Sequence, residues 1–145
     1  MFLGHYEHTI DDKGRLTIPA RFRDLLVAEG AYITAGFDGN LIVLTKDHFE
    51  RLSERVREIS ITNPNARSLS RLFFANAGLI EFDKLGRVLI PPFLRQNASL
   101  ASDAIVVGVG NYVEIWSPAA WLKQTEMLND PDVTAQRFAA LDLSS

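Results

Sequence analysis

The sequence predicts an α+β protein built from two tandem β-β-α-β-β halves that share one core, with flanking helices. Three observations carry this. Sliding the chain by 72 positions on itself aligns Asp11, Gly14, Arg15, Ile18, Pro19, Arg23, Ile33 and Gly36 with Asp83, Gly86, Arg87, Ile90, Pro91, Arg95, Ile105 and Gly108, without a gap. Similar pairs follow: Leu41 with Val113, Val43 with Ile115, Thr45 with Ser117 and Phe49 with Trp121. Within each copy, short alternating segments are broken by turn residues and lead into a run with helical spacing. At 145 residues the chain has room for one ordinary domain, or for two small units with a common core.

Each copy opens with a short strand, about Tyr6 to Asp11 and about Leu79 to Asp83, and a second strand ending at a proline, in "DDKGRLTIP" (11–19) and "DKLGRVLIP" (83–91). This pattern is a hairpin. The proline holds Ile18 and Ile90 extended and opens a short helix at its first position, through "ARFRDLL" and "PFLRQ". Two more strands follow in each half, "YITAG" with "LIVLT" across Asp38-Gly39-Asn40, and "AIVVG" with "VEIWS" across Gly110-Asn111.

Longer helices are expected near 46–59, 64–76 and 118–128. Phe49, Leu52, Val56 and Ile59 fall at helical spacing, and Asn63-Pro64 and Ser117-Pro118 place a capping side chain before a proline that has no amide to leave unpaired. Asp130-Pro131 starts a last helix through "AQRFAAL", whose apolar side, Val133, Phe138 and Leu141, another chain would cover. The expected division is a first repeat with its closing helix over 1–60, a connecting helix over 61–77, and a second repeat with C-terminal helices over 78–145.

Composition sets limits on function. Hydrophobic residues make up 47% and charged residues 23%, a globular profile. The longest apolar stretch, "AIVVGVG", falls far short of the roughly 20 residues needed to span a bilayer, so no membrane partner is expected. The amino terminus lacks both a basic leader and a long apolar run. There is no cysteine, which rules out disulfides and thiolate metal sites, and a cytoplasmic location is the simplest expectation. Net charge is −3, so bulk electrostatics would not draw the chain to nucleic acid, and binding would have to come from local clusters. The deficit lies in the second half: residues 1–72 carry ten bases and ten acids, residues 73–145 five bases and eight acids.

The turn inside each motif holds the chemistry. Asp-x-x-Gly-Arg suits a three-residue loop in which Asp12 and Lys13 form a type I turn and Gly14 takes the left-handed conformation of a bulge. Asp11 and Arg15 then become neighbours across the turn and can pair, with Lys13 at the tip. Asp83, Gly86 and Arg87 repeat this, with Lys84 earlier in the turn and Leu85 at the tip. A rigid charged hairpin can offer an arginine fork to a phosphate or a guanine edge. A well-made turn with solvated charges is the blander reading, and duplication weakens it, because a turn needs glycine but does not need the same acid and arginine twice.

The stretches "MFLGHYEHTIDDKGRLTIPARFR", "DKLGRVLIPPFLRQ" and "VGVGNYVEIW" resemble the MraZ family of bacterial transcriptional regulators, marked by a duplicated Asp-x-x-x-Arg hairpin, over essentially the whole chain. The resemblance implies two AbrB-like halves forming a swapped-hairpin barrel about a pseudo-twofold axis. It implies ring-shaped homo-oligomers and binding to repeated boxes of double-stranded DNA in the promoter of the division and cell-wall gene cluster, hence a nucleoid-associated protein. Carried across by position, Lys13, Arg15, Lys84 and Arg87 would contact DNA, while Asp11, Gly14, Asp83 and Gly86 would position them. Leu85 departs from this pattern by removing a charge that Lys13 supplies. The rival reading is a ring-forming assembly or protein-interaction module without DNA binding.

Other features have bland readings. Arg51, Arg55 and Arg57 lie among Glu50, Glu54 and Glu58 as a solvated helix face, with Asp47 one turn before Arg51. Arg67 and Arg71 also read as surface charge. Arg23 and Arg95 either extend the basic surface or brace the halves. Trp116, Trp121 and Phe49 suit packing better than base stacking. His5 and His8 sit three apart on a strand and so face opposite ways. No catalytic set, metal site or cofactor is expected.

Overall fold

The computed structural model describes residues 1–144. Its strands are β1 (Phe2–Thr9), β2 (Arg15–Thr17), β3 (Ala31–Ala35), β4 (Leu41–Thr45), β5 (Gly78–Leu79), β6 (Arg87–Leu89), β7 (Asp103–Gly110) and β8 (Val113–Trp116). The helices are α1 (Ala20–Glu29), α2 (Lys46–Glu58), α3 (Pro64–Ala75), α4 (Pro92–Asn97), α5 (Pro118–Leu128) and α6 (Pro131–Phe138). The order matches the α+β repeat expected from sequence: α2 and α5 close equivalent β-β-α-β-β units.

The pairing crosses between the halves. A six-stranded antiparallel sheet runs β1-β7-β8-β4-β3-β5, and β2 pairs with β6 in a separate two-stranded ribbon. The opening strand of each half therefore lies on the third strand of the other, β1 on β7 and β5 on β3. This exchange corrects the simple hairpins read from the pattern of 6–11 and 79–83 and agrees with the swapped hairpins that the family resemblance implies. Each hairpin keeps its turn but only one bridge beyond it, Ile10–Leu16 and Phe82–Val88, because its arms part to pair with the other half. β1 and β5 end the sheet as edges, so the strands form an open sheet plus a ribbon and not a closed barrel.

The register reveals the axis. Leu16 pairs with Val88, and Ile42 with Glu114, each residue facing its own equivalent 72 positions away. A pseudo-twofold axis thus runs through the ribbon and through the β4–β8 junction. The ribbon's inner face contributes Leu16 and Val88, at 0% and 1% exposure, to a core shared by both halves with Ile18, Phe22, Leu26, Val43, Ile90, Leu94, Val106 and Ile115. The sheet's other face is covered too. Ile42 and Leu44 pack with Val56 and Phe73 beneath α2 and α3, and Ile105, Val107 and Trp116 pack with Trp121 of α5. Two covered faces explain why "LIVLT" and "AIVV" are continuous apolar runs, where a half-exposed strand would alternate.

Four of the six described helices start at a side-chain cap, while α1 and α4 start one residue after Pro19 and Pro91, which stand at the N-cap and not at the first helical position expected for them. The side chains of Thr45 and Ser117, a repeat-related pair, accept from the backbone N–H of His48 and Ala120, and those of Asn63 and Asp130 cap α3 and α6. The aromatic residues pack as expected: Phe49 stacks between Tyr32 and Phe73, and Trp116 lies 5.8 Å from Trp121. The last helix α6 buries no side chain, and Phe138 and Leu141 are exposed. No helix among the described residues is long and apolar enough to cross a membrane.

Candidate nucleic-acid interface

The two turns are built alike. In the first, the N–H of Gly14 donates to the carbonyl of Asp11 at 2.9 Å and the N–H of Asp11 to the carbonyl of Arg15 at 3.0 Å. The second repeats this between Gly86, Asp83 and Arg87, at 3.1 and 2.9 Å. Gly14 and Gly86 have φ of 83° and 76°, the left-handed bulge position that a side chain disfavours. The carbonyl of each turn glycine then accepts from the opposite half, from Ile18 at Gly86 and from Ile90 at Gly14. The turns are thereby tied to the ribbon of the whole molecule, not only to their own repeat.

Each aspartate organises its arginine with both oxygens. Asp11 Oδ1 accepts from the backbone N–H groups of Lys13 and Arg15, and Oδ2 accepts from Arg15 Nε at 2.6 Å. Asp83 does the same with Leu85, Arg87 and Arg87 Nε, the last at 2.8 Å. The Arg15 backbone N–H is the largest influence holding the Asp11 carboxyl below the usual carboxylate range, against an opposing effect of desolvation and with help from the guanidinium. Asp83 is lowered in the same way, chiefly by the Arg87 backbone N–H. Both acids are therefore ionised at neutral pH and fix the arginine by its Nε. The Nη donors of Arg15 make no hydrogen bond among the described residues, so its end remains open to a ligand.

The ribbon brings the arginines together. Arg15 and Thr17 alternate with buried Leu16, and Arg87 and Leu89 with buried Val88, so these four share the outer face. Arg15 lies opposite Leu89 and Thr17 opposite Arg87. Arg87 Nη1 also reaches Asp11 Oδ2 of the other half at 3.5 Å, which links the two turns. The arginine side chains are 33% and 24% exposed, held along the surface and not buried in the core. Lys13 and Lys84 are exposed in their turns.

Two arginines enter the site from α1 and α4. A Cβ built on Gly14 would stand 2.7 Å from Arg95 Cζ, and one on Gly86 would overlap the Arg23 guanidinium. Each helical arginine therefore lies across the turn of the opposite half, in the space that glycine leaves open. Arg95 is further fixed by donating from Nε to the carbonyl of Ile90 at 3.1 Å. The 72-residue repeat pairs Arg23 with Arg95, but only the fold shows that they cross over. Lys13, Arg15, Arg23, Lys84, Arg87 and Arg95 thus accompany Asp11, Asp12 and Asp83: six bases less three acids leave an excess of three positive charges in a protein of net charge −3.

The remaining sequence candidates stay apart from this surface. Arg51 pairs with Asp47 on exposed α2 at 3.3 Å, and Arg67 Nη1 donates to the carbonyl of Ile61. His5 packs near Trp121, 5.6 Å between ring centres. No group of three potential metal-ligating His, Asp or Glu side chains converges among the described residues.

Comparison with known proteins gives a consistent result. A family model described as "MraZ protein, putative antitoxin-like" matches twice, over residues 1–72 and 73–143, the same division as the repeat. The chain is 50% identical over 143 residues to a Thermomicrobium roseum protein named Transcriptional regulator MraZ, covering 97% of this chain and 99% of that one. Proteins of the same name from Herpetosiphon aurantiacus and Roseiflexus castenholzii are 49% identical (83% of this chain, 84% of theirs) and 45% identical (96% and 94%).

Proposed function

The chain belongs to the MraZ family, and from that premise we propose that it is a transcriptional regulator that binds double-stranded DNA through the outer face of the β2–β6 ribbon and its two turns. Arg15 and Arg87 present their guanidinium ends to guanine edges or phosphates, and Lys13 and Lys84 add backbone contacts. Asp11 and Asp83 position the arginines, and Gly14 and Gly86 permit the turn that makes this possible. The single observation that carries the reading is the placement of two aspartate-held arginines on one exposed face, astride the molecular axis.

A two-stranded ribbon has the right size for the major groove, which is about 12 Å wide. One subunit still offers few phosphate contacts, and such contacts weaken steeply with salt. The proposal therefore includes self-association into a ring-shaped homo-oligomer, which multiplies the contact when several subunits meet repeated boxes on one duplex. The last helix α6 buries no side chain and leaves Phe138 exposed, as is Leu141 just beyond it, which supports a contact with another copy. The proposed target is a set of repeated boxes in the promoter of the division and cell-wall gene cluster, and the proposed location is the nucleoid.

The test is a mobility-shift titration of the full-length protein on the duplex upstream of its own gene, at several salt concentrations. Arg15→Ala and Arg87→Ala are expected to abolish specific retention while circular dichroism and oligomer mass remain those of the parent. Binding that is indifferent to salt and to both substitutions would overturn the reading and favour an assembly module that uses the same surface on protein.

A further inference from the structure

The two halves of the ribbon face are not equal. Thr17 and Leu89 occupy repeat-related positions, yet Leu89 is a large apolar side chain, 58% exposed, on a face otherwise formed by Arg15, Arg87 and Thr17. The hydrogen bonds from Ile18 to Gly86 and from Ile90 to Gly14 set the ladder's alternation, making Arg15–Leu89 a non-hydrogen-bonded pair. In such pairs the Cα atoms are about 4.5 Å apart and the side chains stand side by side. This spacing is close to the rise of about 3.4 Å between successive base pairs. With the ribbon seated so that this cross-strand direction follows the stack of bases, an arginine and a leucine so placed would address neighbouring base pairs of the same groove.

We infer that Leu89 reads the C5-methyl group of a thymine next to the base contacted by Arg15. This inference rests on the DNA-binding reading above and gives it a specificity determinant. The thymine methyl is the apolar feature of the major groove, and it projects toward the protein, within reach of a side chain shorter than arginine. Thr17, beside Arg87, offers a smaller methyl and a hydroxyl. The ribbon is therefore twofold in its arginines and directional in what flanks them, which lets a nearly symmetric reader recognise a non-palindromic box in one orientation.

The test uses synthetic duplexes of the gene's own upstream box in which thymines are replaced singly by deoxyuridine, which removes the methyl and nothing else. Full-length parent and Leu89→Ala proteins are titrated against each. Burial of one methyl is worth about fourfold in affinity. The parent is expected to lose roughly that factor at one thymine, while Leu89→Ala binds the thymine and uracil duplexes equally and keeps the parent's salt dependence. If the parent binds all duplexes alike, or Leu89→Ala retains the full discrimination, the inference fails while DNA binding stands. If Leu89→Ala instead changes the oligomer's mass, the side chain belongs to a protein contact and the inference also fails. Absence of any binding by the parent would remove the underlying reading itself.

Discussion

Replacing Gly14 by alanine tests how the two halves are locked together. The turn holds Gly14 at φ 83°, which costs an L-residue roughly 1–2 kcal/mol. The new Cβ would also stand 2.7 Å from Arg95 Cζ and 2.9 Å from its Nε, so the guanidinium must move and loses its hydrogen bond to the Ile90 carbonyl. A net hydrogen bond is worth about 1 kcal/mol, giving a total of about 2–3 kcal/mol. Gly39 supplies the control: its φ is 74°, but nothing lies within 4 Å of a Cβ there, so Gly39→Ala should cost only the backbone strain. In a domain of this size each kcal/mol lowers the melting temperature by about 2–4 °C. The assay is urea unfolding at fixed protein concentration, since self-association would otherwise shift the midpoint. In an Arg95→Ala background the cost of Gly14→Ala should fall to that of Gly39→Ala, a coupling of about 1 kcal/mol. Equal costs at Gly14 and Gly39 in the parent, or no coupling to Arg95, would refute the cross-half clasp.

Gly108→Ala should be far more damaging, about 3 kcal/mol or more, because its Cβ would meet the backbone of Phe2 and Leu3 at 2.5 Å and push β1 off β7; hydrogen exchange should show β1 amides losing protection first. The lowered carboxyls of Asp11 and Asp83 contribute stability that is fully present above the ordinary value of 3.8 and is lost as pH falls through their lower folded values, so Asp11→Asn should flatten the acid side of the unfolding curve. Glu114 has the opposite sign: burial raises it, against hydrogen bonds from Trp116 and Asn40, so stability falls as pH rises from 4.5 through its folded value, and Glu114→Gln should gain on the parent over that window in pH-dependent melts. Lys13→Leu should lower the slope of log affinity against log salt by about one, and Leu85→Lys should raise it by about one, if both tips meet phosphates; an unchanged slope for Leu85→Lys would place the second tip away from the backbone.

Much of this was legible in the chain. The 72-residue repeat located both turns, the Asp-x-x-Gly-Arg spacing specified their bulges, and Asn63, Ser117 and Asp130, each followed by proline, marked helix starts because a capping interaction is local. Pairing partners were not legible in the residue pattern, and only the family resemblance implied that the hairpins exchange. A period of two in "HYEHTI" identifies a strand but carries no information about whether its neighbour is β2, four residues on, or β7, some hundred residues away; both bury the same face. In the observed exchange Leu16 pairs with Val88 on the axis and keeps one bridge to Ile10 of its own hairpin, so the local pattern fits either neighbour. The cross-over of Arg23 and Arg95 was hidden for the same reason, since repeat equivalence says that two residues occupy like environments but not whose turn they touch.

The two halves differ in the core, where Phe22 and Leu26 answer to Leu94 and Ala98, and at the surface around the turns. Residues that build and clasp the turns are the same in both copies: Asp11 and Asp83, Gly14 and Gly86, Arg15 and Arg87, Arg23 and Arg95. At the outward positions around them, Lys13, Thr17 and Arg21 of the first half become Leu85, Leu89 and Phe93 of the second, all three exposed. Single exposed apolar residues are ordinary on a protein surface; the pairing of β2 with β6 sets one of them, Leu89, opposite Arg15. Because the ribbon lies on the axis, Arg15 and Arg87 share its outer face with Thr17 and Leu89, and on the proposed reading a duplex that meets one arginine meets the other. On that reading duplication gives two arginines one approach direction, and Leu89 in Thr17's counterpart position gives the approach a sense along the duplex. A protein of net charge −3 would then meet a polyanion at the face that carries the local positive excess and be repelled elsewhere, which favours the ribbon-first orientation.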